Sequence, residues 1–212
     1  MNLPFYKTSE FYDLLYKDKS TQREVDYVEN LFKLKEGGVK TILEFGCGTG
    51  RHSKLFAKRG FLIHGVELSK SMLNQIDKIK GFTFQQGDIT KIRIDKKFDA
   101  VISLFHVISY LTTNNQLKNV FNNANNHLVD GGIFLFDIWY SAGVISEKPS
   151  TRLKKFTNGD IEINRIAVPN IDYLNNIVEI NYTFFVNNLS AKTTKTFDEK
   201  HIMRYFSIPE ID

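Results

Sequence analysis

The chain has a single cysteine, Cys47, among 212 residues. No internal disulfide can form, which excludes a disulfide-stapled scaffold and fits a reducing, cytoplasmic setting. No apolar run approaches the ~20 residues of a membrane span. The long uncharged stretch that includes Ala100 to Gln116 is interrupted by His106 and by several hydroxyl and amide side chains. The opening MNLPFYKTSEF lacks the positive-then-apolar order of a secretory signal, so none is expected. A clustered basic stripe interleaved with aromatics is also missing. The net charge of +4 is spread out, which argues against nucleic acid as a partner and suits an anionic small molecule. With 42% hydrophobic and 25% charged residues, wholesale disorder is excluded, and the length predicts one domain with at most a subdomain.

The stretch that organises the rest is Thr41 to Ser69, TILEFGCGTGRHSKLFAKRGFLIHGVELS. It reads as buried strand, glycine loop, helix and second strand, ending on Glu67. Gly46, Gly48 and Gly50 permit a sharp turn and let a ligand approach main-chain atoms. Glu67 stands 19 residues after Gly48. An acidic residue about 20 positions on, at the tip of the second strand of a βαβ unit, can grip ribose hydroxyls. An adenosine-type cofactor across the strand ends is therefore expected. The dinucleotide pattern G-x-G-x-x-G would need a third glycine where Arg51 or Ser53 stands, so a diphosphate has no seat at the helix start. Cys47 reads as a small loop residue rather than a nucleophile, and no metal site is expected.

Taken in order, residues 1–36 read as a helical cap, with Phe11, Leu14 and Leu15, then Val25, Val28, Leu31 and Phe32, at helical spacing. Its aromatic density suits a lid over a bound cation. Ser69 is a helix N-cap, Met72, Leu73 and Ile76 give that helix its buried face, and Gly81 ends it. Phe82 to Gln86 is the third strand, followed by Gly87, Asp88 and Ile89; Phe98 to Leu104 is the fourth, nearly all apolar, as a strand covered on both faces should be. Leu117 to Leu128 reads as a helix, and Ile133 to Trp139 as the fifth strand. Beyond Tyr140 the rhythm becomes alternating: Ile161 to Ala167, Ile177 to Val186 and Lys195 to Tyr205 read as antiparallel strands, with turns at Asn158-Gly159 and Asn187-Asn188. Glu147 to Lys155 reads as a solvated loop, or alternatively as a phosphate-binding edge through Lys148, Arg152, Lys154 and Lys155. The expected organisation is a core over 1–140 including the cap, an antiparallel substrate-side subdomain over 141–206, and a helix start over 207–212. The fold class is α/β: a doubly wound, Rossmann-like sheet with a helical cap and an antiparallel insertion after strand five.

The segments FYDLLY, EFGCGTGRHSKLFAKRG, GVELSKSML, QQGDI, FDAVISLFHVISYL, EINYTFF and KHIMRYFSIP together resemble class I S-adenosylmethionine-dependent methyltransferases. They are most similar to the branch that includes N,N-dimethyltransferases of nucleotide-linked amino-deoxysugars. The resemblance implies S-adenosylmethionine as cofactor, held by Tyr12, Glu44, Gly46, Gly48, Gly50, Arg51, Glu67, Leu68, Asp88, Ile89 and Leu104. In it Arg51 meets the cofactor carboxylate, Asp88 accepts from the adenine amino group, and the amide beside it donates to the ring. His106 and Tyr110 follow the fourth strand, where the methyl group is presented, and are the candidate catalytic residues. Tyr6, Tyr16 and Arg152 are candidates for the substrate side. The Asn/Asp-Pro-Pro-Tyr motif of methyltransferases acting on bases or glutamine amides is missing. The family's closing helix and last two strands are also missing after Asp212. The implied reaction is methyl transfer to an amine of a small molecule; an O- or C-methyltransferase and a non-catalytic cofactor-binding subunit stay open, as does a homodimer. Neither nucleic acid nor a membrane is expected as a partner.

Overall fold

The computed structural model describes Phe5 and residues 7–212 of the chain. The described elements are, in chain order, α1 Tyr12–Leu15, α2 Thr21–Phe32, β1 Thr41–Phe45, α3 Arg51–Lys58, β2 Leu62–Glu67, α4 Lys70–Leu73, β3 Phe82–Gln86, β4 Phe98–Ser103, α5 Asn114–His127 and β5 Leu128–Phe136. They continue with β6 Trp139–Tyr140, α6 Ser141–Ser146, β7 Arg152–Asn158, β8 Ile161–Asp172, β9 Ile177–Asn188, β10 Thr193–Phe206 and α7 Ile208–Ile211. The chain divides into two compact units. One is Asp18–Asp137; the other joins the described residues up to Lys17 to Ile138–Asp212.

In the first unit five parallel strands are ordered β3-β2-β1-β4-β5. The central strand β1 buries Ile42, Leu43, Glu44 and Phe45, as a parallel strand covered on both faces must. One face packs Ile42, Ile63, Ala100 and Ile102 against Val25, Val28 and Phe32 of α2 and Phe56 of α3. On the other, Phe121 of α5 meets Phe134 and Phe136 of β5, and Phe45 of β1 meets Phe134. The Asp99 carboxylate accepts from the Lys40 and Thr41 amides and the Thr41 hydroxyl, each at 2.9 Å, which pins β4 to the entry of β1. Strand order reverses direction at β1. A ligand crevice therefore opens at the carboxyl ends of β1 and β4, where neighbouring connections diverge.

Several local expectations differ from the structure. Strand β5 runs from Leu128 to Phe136 rather than from Ile133 to Trp139, because its pairing with β4 already begins at Leu128 opposite Phe98. The helix after Glu67 is one turn, not a run to Gly81. Its bonds tighten to Gln75 N–H on Met72 O and Ile76 N–H on Leu73 O, an i→i+3 ending. Met72, Leu73 and Ile76 are nevertheless buried. Helix α5 begins at Asn114 rather than Leu117, because Thr113 and Gln116 form a reciprocal capping box.

The second unit is a five-stranded sheet ordered β6-β10-β9-β8-β7, antiparallel except for the β6–β10 pair. One face buries Phe156, Ile163, Phe184 and Val186 against Leu15, with Phe11, Leu14 and Tyr16 packed alongside. Charge-rich Arg152–Asn158, RLKKFTN, is an edge strand rather than the expected loop, because β8 supplies its hydrogen-bond partners along Ile161–Ala167. Glu199 of β10 fixes the segment before α1: its carboxylate accepts from the Lys7 amide at 2.6 Å, the Thr8 amide at 3.0 Å and the Thr8 hydroxyl at 2.7 Å. The final Glu210 carboxylate accepts from the amide and hydroxyl of Ser207, which opens α7.

Candidate functional site

The loop after β1 carries three left-handed glycines: Gly46, Gly48 and Gly50 have φ of 74°, 56° and 76°. A Cβ at Gly46 would lie 2.6 Å from the Val107 methyls, and one at Gly50 would lie 2.7 Å from the Phe82 ring. At Gly48 a Cβ would meet nothing within 4 Å. The first and third glycines thus answer to packing; the middle one faces open space, where backbone can meet a ligand.

Two carboxylates border this loop. Glu67, at the end of β2, accepts from the Gly48 amide at 3.0 Å and the Ser69 amide at 2.8 Å. Burial pushes its pKa up, against those hydrogen bonds. Glu44, only 1% exposed, accepts from the Ser53 hydroxyl and lies 3.8 Å from His52 Nδ1. Burial raises its pKa too. His52 Nε2 in turn meets Glu24 at 2.8 Å, and Glu24 meets Lys19 Nζ at 2.6 Å. Burial opposes ionisation of Glu24, but the hydrogen bonds from His52 and Lys19 lower its pKa to about 2. Arg51, first residue of α3, donates to the Lys19 carbonyl at 3.3 Å. The thiol of Cys47 is buried and its pKa pushed well up, so it is no nucleophile. After β3, Asp88 accepts from the Thr90 amide and hydroxyl at 2.9 and 2.7 Å; with Lys91 these hydrogen bonds outweigh its burial and hold its pKa low.

The second wall follows β4. Phe105 and His106 both adopt positive φ, 69° and 61°, an uncommon state for side-chain-bearing residues that recurs at functional sites. Asp137, just past β5, holds the kink: its carboxylate accepts the His106 amide at 2.8 Å and lies 3.3 Å from His106 Nδ1. Lys19 Nζ sits 3.6 Å from the Phe105 ring centroid. Burial lowers the His106 pKa; Asp137 opposes this and Lys19 adds to it. The imidazole is consequently neutral near pH 7. Tyr110 closes a 3-10 turn over Ile108–Tyr110.

Glu44, Gly46, Gly48, Gly50, Arg51, Glu67, Leu68, Asp88, Ile89, Leu104, His106 and Tyr110 thus all fall at or just beyond the carboxyl ends of β1 to β4 in one unit. Tyr12, Tyr16 and Arg152 belong to the other. There Tyr12 is buried, 4.9 Å from the Tyr16 ring, burial raises the Tyr16 pKa, and Arg152 is exposed on β7. Tyr6 lies outside the described residues. Sequence reasoning missed Asp137 and Lys19. An acid closing the apolar run IFLFD of the fifth strand was a readable signal for the first; nothing local marks the second.

The buried carboxylate of Glu44 and the half-buried one of Glu67 would repel a diphosphate lodged in the loop. They suit a ribose, which donates hydroxyls, and a ligand carrying positive charge. The residues present therefore fit S-adenosylmethionine. A methyltransferase domain family model matches residues 42–132. The putative methyltransferase YqeM of Bacillus subtilis (strain 168) is 31% identical over 178 residues, covering 81% of this chain and 69% of that protein. The dTDP-3-amino-3,4,6-trideoxy-alpha-D-glucopyranose N,N-dimethyltransferase of Streptomyces venezuelae is 31% identical over 135 residues. That match covers 62% of this chain, and the chain spans 57% of the relative's length. The crystal structure of Streptomyces venezuelae DesVI superposes with a TM-score of 0.81 at 24% identity, covering 96% of this chain and 86% of that one. Fold, glycine loop and family match agree: the chain belongs to the methyltransferase domain family, among the class I S-adenosylmethionine-dependent methyltransferases.

Proposed function

We propose that the protein transfers a methyl group from S-adenosylmethionine to an amine of a small molecule, a nucleotide-linked amino sugar. The observation that carries this reading is the open loop at Gly48, beside the Glu67 carboxylate at the tip of β2, with the His106 imidazole after β4. The amino-sugar N,N-dimethyltransferase relative supports the choice of acceptor.

In this reading Glu67 accepts from the ribose hydroxyls, Asp88 from the adenine amino group, and the Ile89 amide donates to the ring. Leu68 and Leu104 flank the adenosine, and Arg51 meets the carboxylate. Glu44 acts at one remove: it braces Ser53 and His52 at the start of α3 and adds negative potential beside the loop. When bound, the cofactor supplies a sulfonium methyl open to in-line attack. The chain's task is alignment, which contributes on the order of 7–11 kcal/mol at best, and removal of the amine's proton. His106, held neutral by burial, takes that proton; Asp137 orients its ring, and Tyr110 borders the acceptor.

Incubation with methyl-labelled cofactor and a panel of nucleotide-linked amino sugars tests the proposal. Label on the amine nitrogen is the expected result. Mass spectrometry of the product separates N- from O- or C-methylation, and no transfer to any amine would refute it.

A further inference from the structure

On the antiparallel sheet, Lys154 of β7 stands directly opposite Arg165 of β8, and Arg152 stands opposite Ala167. Directly opposed residues share a face, and alternate residues of a strand return to it. Arg152, Lys154 and Arg165 therefore project from the same face as Phe156, Tyr182 and Phe184. The Arg165 guanidinium lies between two rings, 5.2 Å from Phe156 and 5.1 Å from Tyr182. It hydrogen-bonds the Tyr16 phenol, while its Nε is sealed from solvent and donates to nothing.

Among the described residues none of these three cations has a carboxylate in ion-pair reach. The opposite face is handled differently: Lys155 pairs with Glu162 at 2.5 Å and Lys200 with Glu179 at 2.9 Å. Glu199, the acid on the Arg152–Ala167–Tyr182 row, is already taken by Lys7 and Thr8. Like charges directly opposed across strands destabilise a sheet. A sheet that neutralises lysines on one face and leaves an opposed Lys–Arg pair on the other is shaped for an anion from outside.

We propose that this face binds a diphosphate, with Lys154 and Arg165 as its paired cations, Arg152 at its rim and the phenols of Tyr16 and Tyr182 as donors. The proposal rests on the reading above, whose nucleotide-linked acceptor carries a diphosphate of this kind.

Calorimetric titration with inorganic pyrophosphate at low salt tests it without methyl transfer. Saturable one-to-one binding is expected, weakened at least tenfold in Lys154→Gln and in Arg165→Gln, and unchanged in Lys200→Gln on the opposite face. Lys154 is exposed, so Lys154→Gln keeps the fold. It should raise Tm without ligand, by relieving the opposed charges, and abolish the rise that pyrophosphate gives the wild type. No saturable binding, or equal binding by all variants, overturns the proposal. In turnover assays, equal KM for an amino sugar with and without its diphosphate would also overturn it. Lys154-dependent pyrophosphate binding with no methyl transfer to any amine would instead sink the proposed function and leave this site standing.

Discussion

Glu67 accepts from two backbone amides while burial raises its pKa, so its oxygens are fixed where a ribose would reach them. Replacing it with alanine removes a charged hydrogen-bond partner and should weaken S-adenosylhomocysteine binding by roughly 1–3 kcal/mol, about 5- to 150-fold in Kd by calorimetry. His106 and Asp137 give a second residue-scale prediction. His106→Ala should lower kcat on the order of 100-fold. Asp137→Asn should cost roughly 1.5–3 kcal/mol of activation free energy, as loss of a charge-assisted hydrogen bond does, with KM for the amine little changed. The carboxylate favours the protonated imidazole. Its removal should therefore move the acidic limb of the pH–rate profile to lower pH, a shift that a purely structural role for Asp137 would not produce.

At the scale of elements, the glycine loop separates packing from binding. Gly50→Ala forces a Cβ into the left-handed region, at ~1–2 kcal/mol, and against the Phe82 ring, where overpacking costs roughly 1–3 kcal/mol. It should show mainly as a lower urea midpoint. Gly48→Ala bears the same left-handed cost of ~1–2 kcal/mol but meets no clash, so it should lose less stability than Gly50→Ala while losing cofactor affinity; the reverse ranking would mean that the open side of Gly48 is not the ligand's. The parallel strands were legible because each is a continuous apolar run, Thr41–Phe45 or Phe98–Ser103, which only a sheet covered on both faces tolerates. Strand β7 was not, because an edge strand with one buried residue, Phe156, carries no alternation to read. The length of α4 was hidden for a related reason: Met72, Leu73 and Ile76 bury equally well from one turn plus an i→i+3 tail, so periodicity cannot fix where the helix stops.

For the whole molecule, contacts far apart in sequence decide what local pattern cannot. Glu199 reaches Thr8 across 191 residues, and no periodicity in either segment announces it; hence the first residues were legible as helical but not as partners of the last sheet. Long-range pairs of this kind also set the response to acid. Glu24 is depressed from 4.5 to about 2, and Glu199 and Asp99 are held low by hydrogen bonds that outweigh their burial. A depressed carboxylate contributes stability that is complete above its unfolded pKa and is lost as pH falls through its folded one. Glu44 and Glu67, raised by burial, act with opposite sign: each favours folding below its unfolded pKa and gives up that contribution as pH rises. Urea unfolding of the wild type should therefore weaken from about pH 4.5 down toward pH 2, while Glu67→Gln should flatten the loss of stability on the way up to neutrality. Glu24→Gln isolates one contributor. With 37% of its side chain exposed, solvent screening limits the Lys19–Glu24–His52 chain to about 1 kcal/mol, so this variant should be that much less stable at pH 7 and converge on the wild type near pH 2. A constant gap across the whole range would show that the carboxylate's charge contributes nothing and that its loss is felt only through packing.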